Sequence, residues 1–214
     1  MEKEVPTLPD GTAWPHDFAF TVLPDLPDCA PRRGGRVGQW IGKAVMRLLG
    51  WRVTGFYPAV PKLVVIEGPH TSYWDGVIAL ATIMSLDLDI RIMAKHTAFV
   101  GPVKWILNYV RAIPVDRTVK GGATRQMTEH MRRADKFNLG VAPEGTRKKV
   151  DRWKTGFYRI AEGAEVPIMV VALDFGVKRV RVGPTVIPSG DIEADFEVMK
   201  SFLATATGKN PENA

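Results

Sequence analysis

The sequence contains very little cysteine and no long hydrophobic segment. Cys29 is the single cysteine in 214 residues, which excludes an internal disulfide framework and a cysteine-rich metal site. The longest nearly uncharged apolar run, residues 76–86, falls well short of the roughly 20 residues that a membrane-spanning helix needs. The first residues, MEKEVPTLPDG, are charged and lack the apolar core of a secretory signal. We therefore expect a soluble or peripheral protein, for which a reducing compartment is suitable.

Sequence patterns that bind nucleotides or metals are missing as well. There is no GxGxxG and no Walker-type loop, so NAD or nucleotide binding has little support. The four histidines are scattered along the chain without His-x3-His spacing, and we expect no metal site. No motif of a nucleic-acid-binding fold occurs either, so nucleic acid is not expected as a partner.

Positive charge is concentrated in the middle of the chain. Residues 91–159 contain 16 basic and 5 acidic residues, a net charge of +11. The remaining residues contain 13 basic and 18 acidic ones, so the whole chain carries a net charge of +6. Such a block suits phosphate groups, nucleic acid or an anionic membrane surface, although an ordinary solvated basic face has the same composition.

Apolar strands alternate with helical segments after a proline-rich start. Six of the 16 prolines lie within residues 1–33, and we predict an irregular arm over residues 1–35. Strands are predicted at 62–67, 90–94, 113–115, 139–142, 167–173 and 179–187, and helices near 73–86, 101–110, 121–136, 154–164 and 191–204. This alternation predicts an α/β fold with a single mixed, largely parallel sheet flanked by helices. We assign residues 36–206 to one domain and residues 207–214 to a C-terminal tail.

The segment 36–49 is predicted to form an N-terminal amphipathic helix in front of the sheet. Its apolar residues at helical spacing are Val37, Trp40, Ile41, Ala44, Val45 and Leu48, and its polar residues are Arg36, Gln39, Lys43 and Arg47. Gly50 is a suitable C-terminal stop for this helix. Such a helix either covers the core of the domain or rests in a membrane interface.

The stretch GPHTSYWDG, residues 68–76, places a histidine and an aspartate directly after a predicted strand. Ser72 and Asp75 match a capping box, so the aspartate has a purely structural interpretation at the start of a helix. In the catalytic interpretation, Asp75 accepts a hydrogen bond from one ring nitrogen of His70 and leaves the other free to take a proton. Ligands bind at the carboxyl ends of strands in α/β sheets, which is where His70 is predicted to lie.

Two further stretches place charged residues after apolar runs. In AIPVDR, Asp116 and Arg117 form either a surface ion pair or an anion site. In VAPEGTR, Glu144 and Arg147 form either a structural pair or part of a ligand site. Gly145 allows the backbone to turn or to approach a ligand closely.

Four blocks of the sequence, in this order, resemble the glycerolipid acyltransferase family of 1-acylglycerol-3-phosphate acyltransferase-like proteins. The blocks are His70-x4-Asp75, Ile113-Pro114-Val115-Asp116-Arg117, Pro143-Glu144-Gly145-Thr146-Arg147 and Val166-Pro167-Ile168. The resemblance covers roughly residues 36–188. The chain departs from the family pattern at Pro69, where Asn is common, at Arg111-Ala112, where Gly is frequent, and at Lys148, where Ser often follows.

The resemblance implies transfer of a fatty acyl group from acyl-CoA or acyl-carrier protein to a hydroxyl of a lysophospholipid such as 1-acylglycerol-3-phosphate. His70 is then the general base, Asp75 orients it, and no cofactor is needed beyond the acyl donor. Backbone N–H groups of residues 70–73 are expected to stabilise the tetrahedral oxyanion. The residues implied in acceptor binding are Arg117, Glu144, Gly145, Thr146 and Arg147, and those expected to contact CoA phosphates or the membrane are Lys95, Lys148 and Lys154.

Membrane contact follows from the same resemblance, because lysolipid acceptors reside in bilayers. We therefore expect helix 36–49 to rest on the membrane and the protein to be cytoplasmic and peripheral on the cytoplasmic membrane face. The apolar residues Trp74, Met84, Met93 and Trp105 are assigned to the core rather than to an acyl groove. Two alternatives stay open, namely a non-catalytic peripheral lipid-binding protein and a thioesterase in which water replaces the acceptor.

Overall fold

The computed structural model describes residues 26–213 except 96, 98, 110, 116–120, 148 and 151. The helices are α1 (Arg36–Leu49), α2 (Tyr73–Ser85), α3 (Val103–Tyr109), α4 (Gly122–Arg133), α5 (Gly156–Ala164) and α6 (Ile192–Ala204). The strands are β1 (Arg52–Gly55), β2 (Lys62–Gly68), β3 (Ile90–Lys95), β4 (Ile113–Val115), β5 (Phe137–Val141), β6 (Ile168–Asp174) and β7 (Arg179–Val186). Each predicted strand and helix is present, with small shifts at the ends.

The seven strands form one sheet in the order β1-β7-β6-β2-β5-β3-β4. Neighbouring strands run parallel except β6 and β7, which are antiparallel. The predicted single, mixed and largely parallel sheet is therefore confirmed. Strand β1 is absent from the prediction because its sequence, RVTG, is too short and too polar to show an apolar period.

Helices cover both faces of the sheet, so that the domain has three layers. Because successive strand residues point to opposite faces, Val64 and Ile66 pack with α4, α5 and α6. Leu63 and Val65 point to the other face, where the core is shared with α2 and with Leu26 from the segment before α1. The sheet therefore contributes buried apolar residues to two separate core layers.

Helix α1 packs on α2 at Gly42 and buries Met46, but it leaves other apolar residues in solvent. Gly42 is buried, and a Cβ at this position would collide with the backbone nitrogen of Ser85, so the close approach requires glycine. Trp40 and Leu48 are 72% and 85% exposed. The helix ends at Gly50 in the left-handed conformation, as predicted. Neither α1 nor another helix in the described part of the chain is long and apolar enough to cross a membrane.

Two tryptophans that the sequence predicts to be in the core lie at the surface instead. Trp74 is 50% exposed and Trp105 is 83% exposed, so this assignment is wrong for both. Trp74 lies in the first turn of α2 at the site edge of the sheet, and Trp105 lies on the seven-residue helix α3. Met84 and Met93 are half-buried.

Candidate active site

The histidine and the glutamate of the two sequence motifs meet at one edge of the sheet. Strands β2 and β5 are parallel neighbours, with Ile66 opposite Val141, so both end at the same edge. His70 and Glu144 follow these strand ends, and the backbone N–H of His70 donates to Glu144 Oε2 at 3.0 Å. The two motifs, 74 residues apart in sequence, therefore form one site, where ligands of α/β sheets bind.

Asp75 is fixed by the start of helix α2. Ser72 is the N-cap, and its hydroxyl oxygen accepts from the backbone N–H of Trp74 at 3.1 Å. Asp75 Oδ2 accepts from the backbone N–H groups of Thr71 and Ser72 at 2.6 and 2.7 Å, and Oδ1 accepts from Ser72 Oγ at 2.9 Å. The predicted capping box is confirmed, and it holds a fully buried carboxylate in one position.

The same carboxylate faces the imidazole. Asp75 Oδ2 lies 3.5 Å from Nδ1 of His70, whose side chain is 20% exposed. This separation exceeds an ordinary hydrogen bond, as is common for catalytic pairs without substrate. With Nδ1 turned toward the carboxylate, Nε2 is the ring nitrogen left for a substrate proton. The structural and the catalytic interpretations of Asp75 are thus compatible in one geometry.

A second carboxylate, which is not among the site residues predicted from the sequence, also faces His70. Glu67 lies near the end of β2, and its Oε1 is 3.8 Å from His70 Nδ1. Both atoms are buried and have no hydrogen-bond partner within the described residues. The sequence does contain a signal for Glu67, because it is a charged residue at the end of the apolar run KLVVIE, three positions before the histidine.

The three carboxylates determine the protonation behaviour of the site. Glu67 is the largest influence on His70 and raises its pKa above that of a free imidazole, with smaller contributions from Asp75 and Glu144 and opposition from partial burial. Burial raises the pKa of Glu144 to about 7, although the N–H of His70 acts in the opposite direction. Burial also raises the pKa of Glu67. No group of His, Cys, Asp and Glu side chains in the described ranges is arranged to hold a metal ion.

Backbone donors around His70 do not match the expected oxyanion site. The N–H groups of His70, Thr71 and Ser72 all donate to carboxylates of the protein. The N–H of Trp74 donates to the hydroxyl of Ser72. The expectation that residues 70–73 supply a ready set of oxyanion donors is therefore wrong for residues 70–72, because the capping box and Glu144 already use them.

The loop after β5 brings basic residues to the site. Gly145 has φ 65°, and a Cβ there would collide with the side chain of Lys154. Glycine therefore allows both this backbone conformation and the close approach of the lysine side chain. The Arg147 guanidinium lies 3.9 Å from the centre of the Tyr73 ring at the start of α2. Thr146 is exposed on the same loop. The structure thus gathers these predicted binding residues near His70.

Three predicted contact residues cannot be placed in the same way. Arg117 and Lys148 lie outside the described residues, as does Asp116. Strand β3 ends at Lys95, whose side chain is also outside the described part of the structure.

A largely apolar cavity of about 900 Å³ opens at the site. It lies between α2 and the sheet and extends toward Leu88 and Ile90 at the start of β3. The polar residues around its His70 end are Glu67, His70, Thr146, Arg147 and Lys154, and its apolar lining includes Val65, Ala79, Leu80, Ile83, Ile92, Met169 and Val171. A cavity of this size and lining is suited to a hydrocarbon chain whose polar end lies at His70.

The described end of the chain contacts the histidine loop. The backbone N–H of Asn210 donates to Thr71 Oγ1, and Asn210 Nδ2 donates to the Thr71 carbonyl, both at 3.2 Å. Gly208 lies against Thr71 and Pro69, where a Cβ would be 2.8 Å from Thr71 Cγ2. Residues within the predicted tail therefore pack on the loop that carries His70.

Comparisons with known proteins agree with this fold. The Acyltransferase family model matches residues 56–174, more than half of the chain. The crystal structure of the 1-acyl-sn-glycerophosphate (LPA) acyltransferase PlsC from Thermotoga maritima is similar over 79% of this chain and 78% of that chain, with a TM-score of 0.58 and 19% sequence identity. No curated protein matches the sequence. At this identity the structural likeness shows the fold alone.

Proposed function

Because the chain belongs to the acyltransferase family, we propose that it transfers a fatty acyl group from acyl-CoA or acyl-carrier protein to a lysophospholipid such as 1-acylglycerol-3-phosphate. One observation carries this proposal: the imidazole of His70 faces the buried carboxylate of Asp75 at the opening of an apolar cavity of about 900 Å³. The base and the space for an acyl chain are therefore adjacent.

In the proposed mechanism His70 acts as a general base. Nε2 removes the proton from the acceptor hydroxyl while the acceptor oxygen attacks the thioester carbonyl carbon. The new C–O bond forms, the C–S bond breaks as the tetrahedral intermediate collapses, and the proton passes from His70 to the departing thiolate. Asp75 holds the Nδ1–H tautomer throughout. No acyl group is attached to the protein, and no cofactor or metal takes part.

Acceptor binding is assigned to the residues of the loop after β5. Arg147 and Lys154 line the cavity beside His70 and provide positive charge for a phosphate. Thr146 lies on the same loop, Gly145 allows close backbone approach, and Glu144 fixes the loop to the N–H of His70. We also keep Arg117 as an acceptor ligand, and Lys95 and Lys148 as contacts for CoA phosphates or the membrane, on the basis of the sequence motifs.

The test is CoA release from acyl-CoA with a panel of lysophospholipids and other amphipathic alcohols, and with no acceptor. Transfer predicts release that depends on the acceptor, together with an acylated lipid product. Release at the same rate without any acceptor identifies a thioesterase instead. Binding of lipid vesicles without release from acyl-CoA or acyl-carrier protein identifies a non-catalytic lipid-binding protein.

Filling the cavity should change the preference for acyl-chain length. Ala79 lines the cavity from α2, so Ala79→Phe should lower kcat/KM for long-chain donors about tenfold or more. Each methylene of the acyl chain that is kept out of the cavity loses about 0.8 kcal/mol of favourable burial. Short-chain donors place fewer methylenes in the cavity, so their kcat/KM should fall much less. The measurement is kcat/KM across donors of increasing chain length.

The control for this substitution lies on the same helix. Val77 is exposed and is not part of the cavity lining, so Val77→Phe should leave the chain-length profile unchanged. Equal losses for short and long donors in Ala79→Phe would contradict acyl-chain binding in the cavity.

Membrane contact is assigned to the exposed apolar face of α1. An apolar stripe beside basic residues is typical of a helix that lies in a membrane interface, and here four residues of the stripe are exposed. The exposed apolar residues are Val37, Trp40, Ile41 and Leu48, and the exposed basic residues are Arg36, Lys43 and Arg47. We propose that the protein is peripheral on the cytoplasmic membrane face.

The double substitution Trp40→Ala with Leu48→Ala should weaken binding to anionic phospholipid vesicles by at least about tenfold, because each large apolar side chain contributes about 1.5–3 kcal/mol when buried. Sedimentation of the protein with vesicles gives the partition coefficient. The matched control is Val177→Ala with Ile187→Ala, which removes two exposed apolar side chains that are not part of α1. If both double variants bind as the unmodified protein does, α1 is not the membrane contact.

A further inference from the structure

Glu67 occupies an unusual position for a carboxylate. It shares a strand face with Leu63 and Val65, which points to the apolar cavity and α2. Its Oε1 is buried and receives no hydrogen bond from a described residue. The one ion-pair partner of Glu67 in the described part of the chain is His70 Nδ1 at 3.8 Å. The side chain of Glu67 is 22% exposed, so the carboxylate keeps partial access to solvent while its buried oxygen faces the imidazole.

Asp75 alone leaves little acceptor capacity for the imidazole. Its two oxygens already accept three hydrogen bonds from Thr71 and Ser72 at 2.6 to 2.9 Å. A carboxylate offers about four lone-pair sites, and the oxygen nearest His70 already accepts two of these three bonds. Among the described residues, none donates a hydrogen bond to Oε1 of Glu67, and this oxygen faces the same nitrogen, Nδ1.

We propose that Glu67 is a positioning residue that, together with Asp75, holds Nδ1–H of His70 and stabilises the imidazolium formed during transfer. This inference rests on the proposed role of His70 as the general base. The proton leaves the acceptor hydroxyl for Nε2, so positive charge develops on a ring that both carboxylates face. Ionised Glu67 is then paired with this charge, whereas unpaired it would oppose the developing oxyanion.

The charges around His70 support this assignment. The carboxylates that act on the ring are Glu67 from β2, Asp75 from α2 and Glu144 from the loop after β5. Glu144 contacts the backbone N–H of His70, and Asp75 is held by the helix cap. Asp75 and Glu67 both face Nδ1 of the ring, at 3.5 and 3.8 Å, and Asp75 is in addition held by the helix cap. Removing the charge of Glu67 therefore changes the surroundings of the imidazole while the cap stays intact.

The first test does not need substrate. NMR titration of the His70 ring should show that Glu67→Gln lowers the pKa of His70, because the substitution keeps the shape of the side chain and removes its charge. The resonance is assigned by its loss in His70→Ala. Glu129→Gln removes the same charge from the exposed face of α4 and should leave the titration unchanged. An unchanged His70 titration in Glu67→Gln would overturn the proposal.

The second test is the pH dependence of kcat/KM for acyl transfer. A general base works when neutral, so a lower pKa of His70 in Glu67→Gln should move the acid limb of the profile to lower pH. The plateau of kcat/KM should also fall by about tenfold, because a less basic imidazole is a weaker catalyst. A purely structural role would lower the plateau without moving the limb, and this result would also overturn the proposal. Glu67→Ala, with a folding check by circular dichroism, repeats the test if the glutamine variant does not fold.

The two proposals fail in distinguishable ways. If the unmodified protein transfers no acyl group but Glu67→Gln still lowers the pKa of His70, the pairing is supported and the proposed function is lost. If transfer is present but neither the titration nor the acid limb moves in Glu67→Gln, the proposed function stands and the role of Glu67 is refuted.

Discussion

Alanine in place of His70 is expected to lower kcat for acyl transfer by about 10²–10⁴-fold, the usual contribution of a positioned general base. His70 lies in the loop between β2 and α2, and its ring makes no hydrogen bond to a described residue through Nδ1. The free energy of unfolding should therefore change little. The acceptor hydroxyl, however, no longer has the base that is proposed to remove its proton. The measurement is acceptor-dependent CoA release with the purified variant.

His130→Ala is the matched control for this experiment. His130 is exposed on α4, so its loss should leave both activity and thermal unfolding unchanged. Circular dichroism of both variants separates loss of the base from loss of the fold. Full transfer rates in a correctly folded His70→Ala protein would remove the general-base mechanism.

The layered architecture could be predicted from the sequence because apolar residues are spaced differently in its strands and its helices. The runs that became β2 and β6 are continuously apolar, as expected for central strands buried on both faces, and the amphipathic periods between them gave the helices. Strand β1 could not be predicted, because its RVTG sequence is defined by pairing with β7 at the edge of the sheet rather than by its own pattern.

Local signals in the site were also readable from the sequence. The Ser72-x-x-Asp75 spacing gives a helix start, and this cap fixes the carboxylate near the histidine. The meeting of His70 with Glu144 follows from two parallel strands ending at one edge, once the strands are known to be neighbours.

Contacts that depend on tertiary packing were beyond the sequence. In the sequence, Glu67 has the pattern of a polar residue at the end of a strand. Its contact with His70 depends on the path of the loop after β2, which turns the histidine back toward the strand. The hydrogen bonds from Asn210 to Thr71 join residues 139 positions apart in sequence. The periodicity of α1 likewise predicts an apolar stripe, but it does not predict which side of the helix packs on the domain. The contact with α2 is made at Gly42, which is not part of that stripe.

Substitution of Asp75 by asparagine should separate its structural role from its catalytic one. The amide keeps one oxygen to accept from the helix cap but can donate N–H toward Nδ1, which favours the wrong tautomer of His70. We expect kcat to fall by about 10²–10⁴-fold, comparable to loss of the base itself. Loss of charge-assisted hydrogen bonds from Thr71 and Ser72 should also lower the free energy of unfolding by about 1–3 kcal/mol.

The comparison that decides this prediction is Ser72→Ala. It removes the acceptor for the Trp74 N–H and the donor to Asp75 Oδ1, at a cost of about 1 kcal/mol in the free energy of unfolding. The Asp75 carboxylate remains beside His70, so kcat should fall only slightly. If Asp75→Asn and Ser72→Ala lose the same small amount of activity, Asp75 acts only as a helix cap. A large loss confined to Asp75→Asn, at similar stability, means that the carboxylate acts on the histidine.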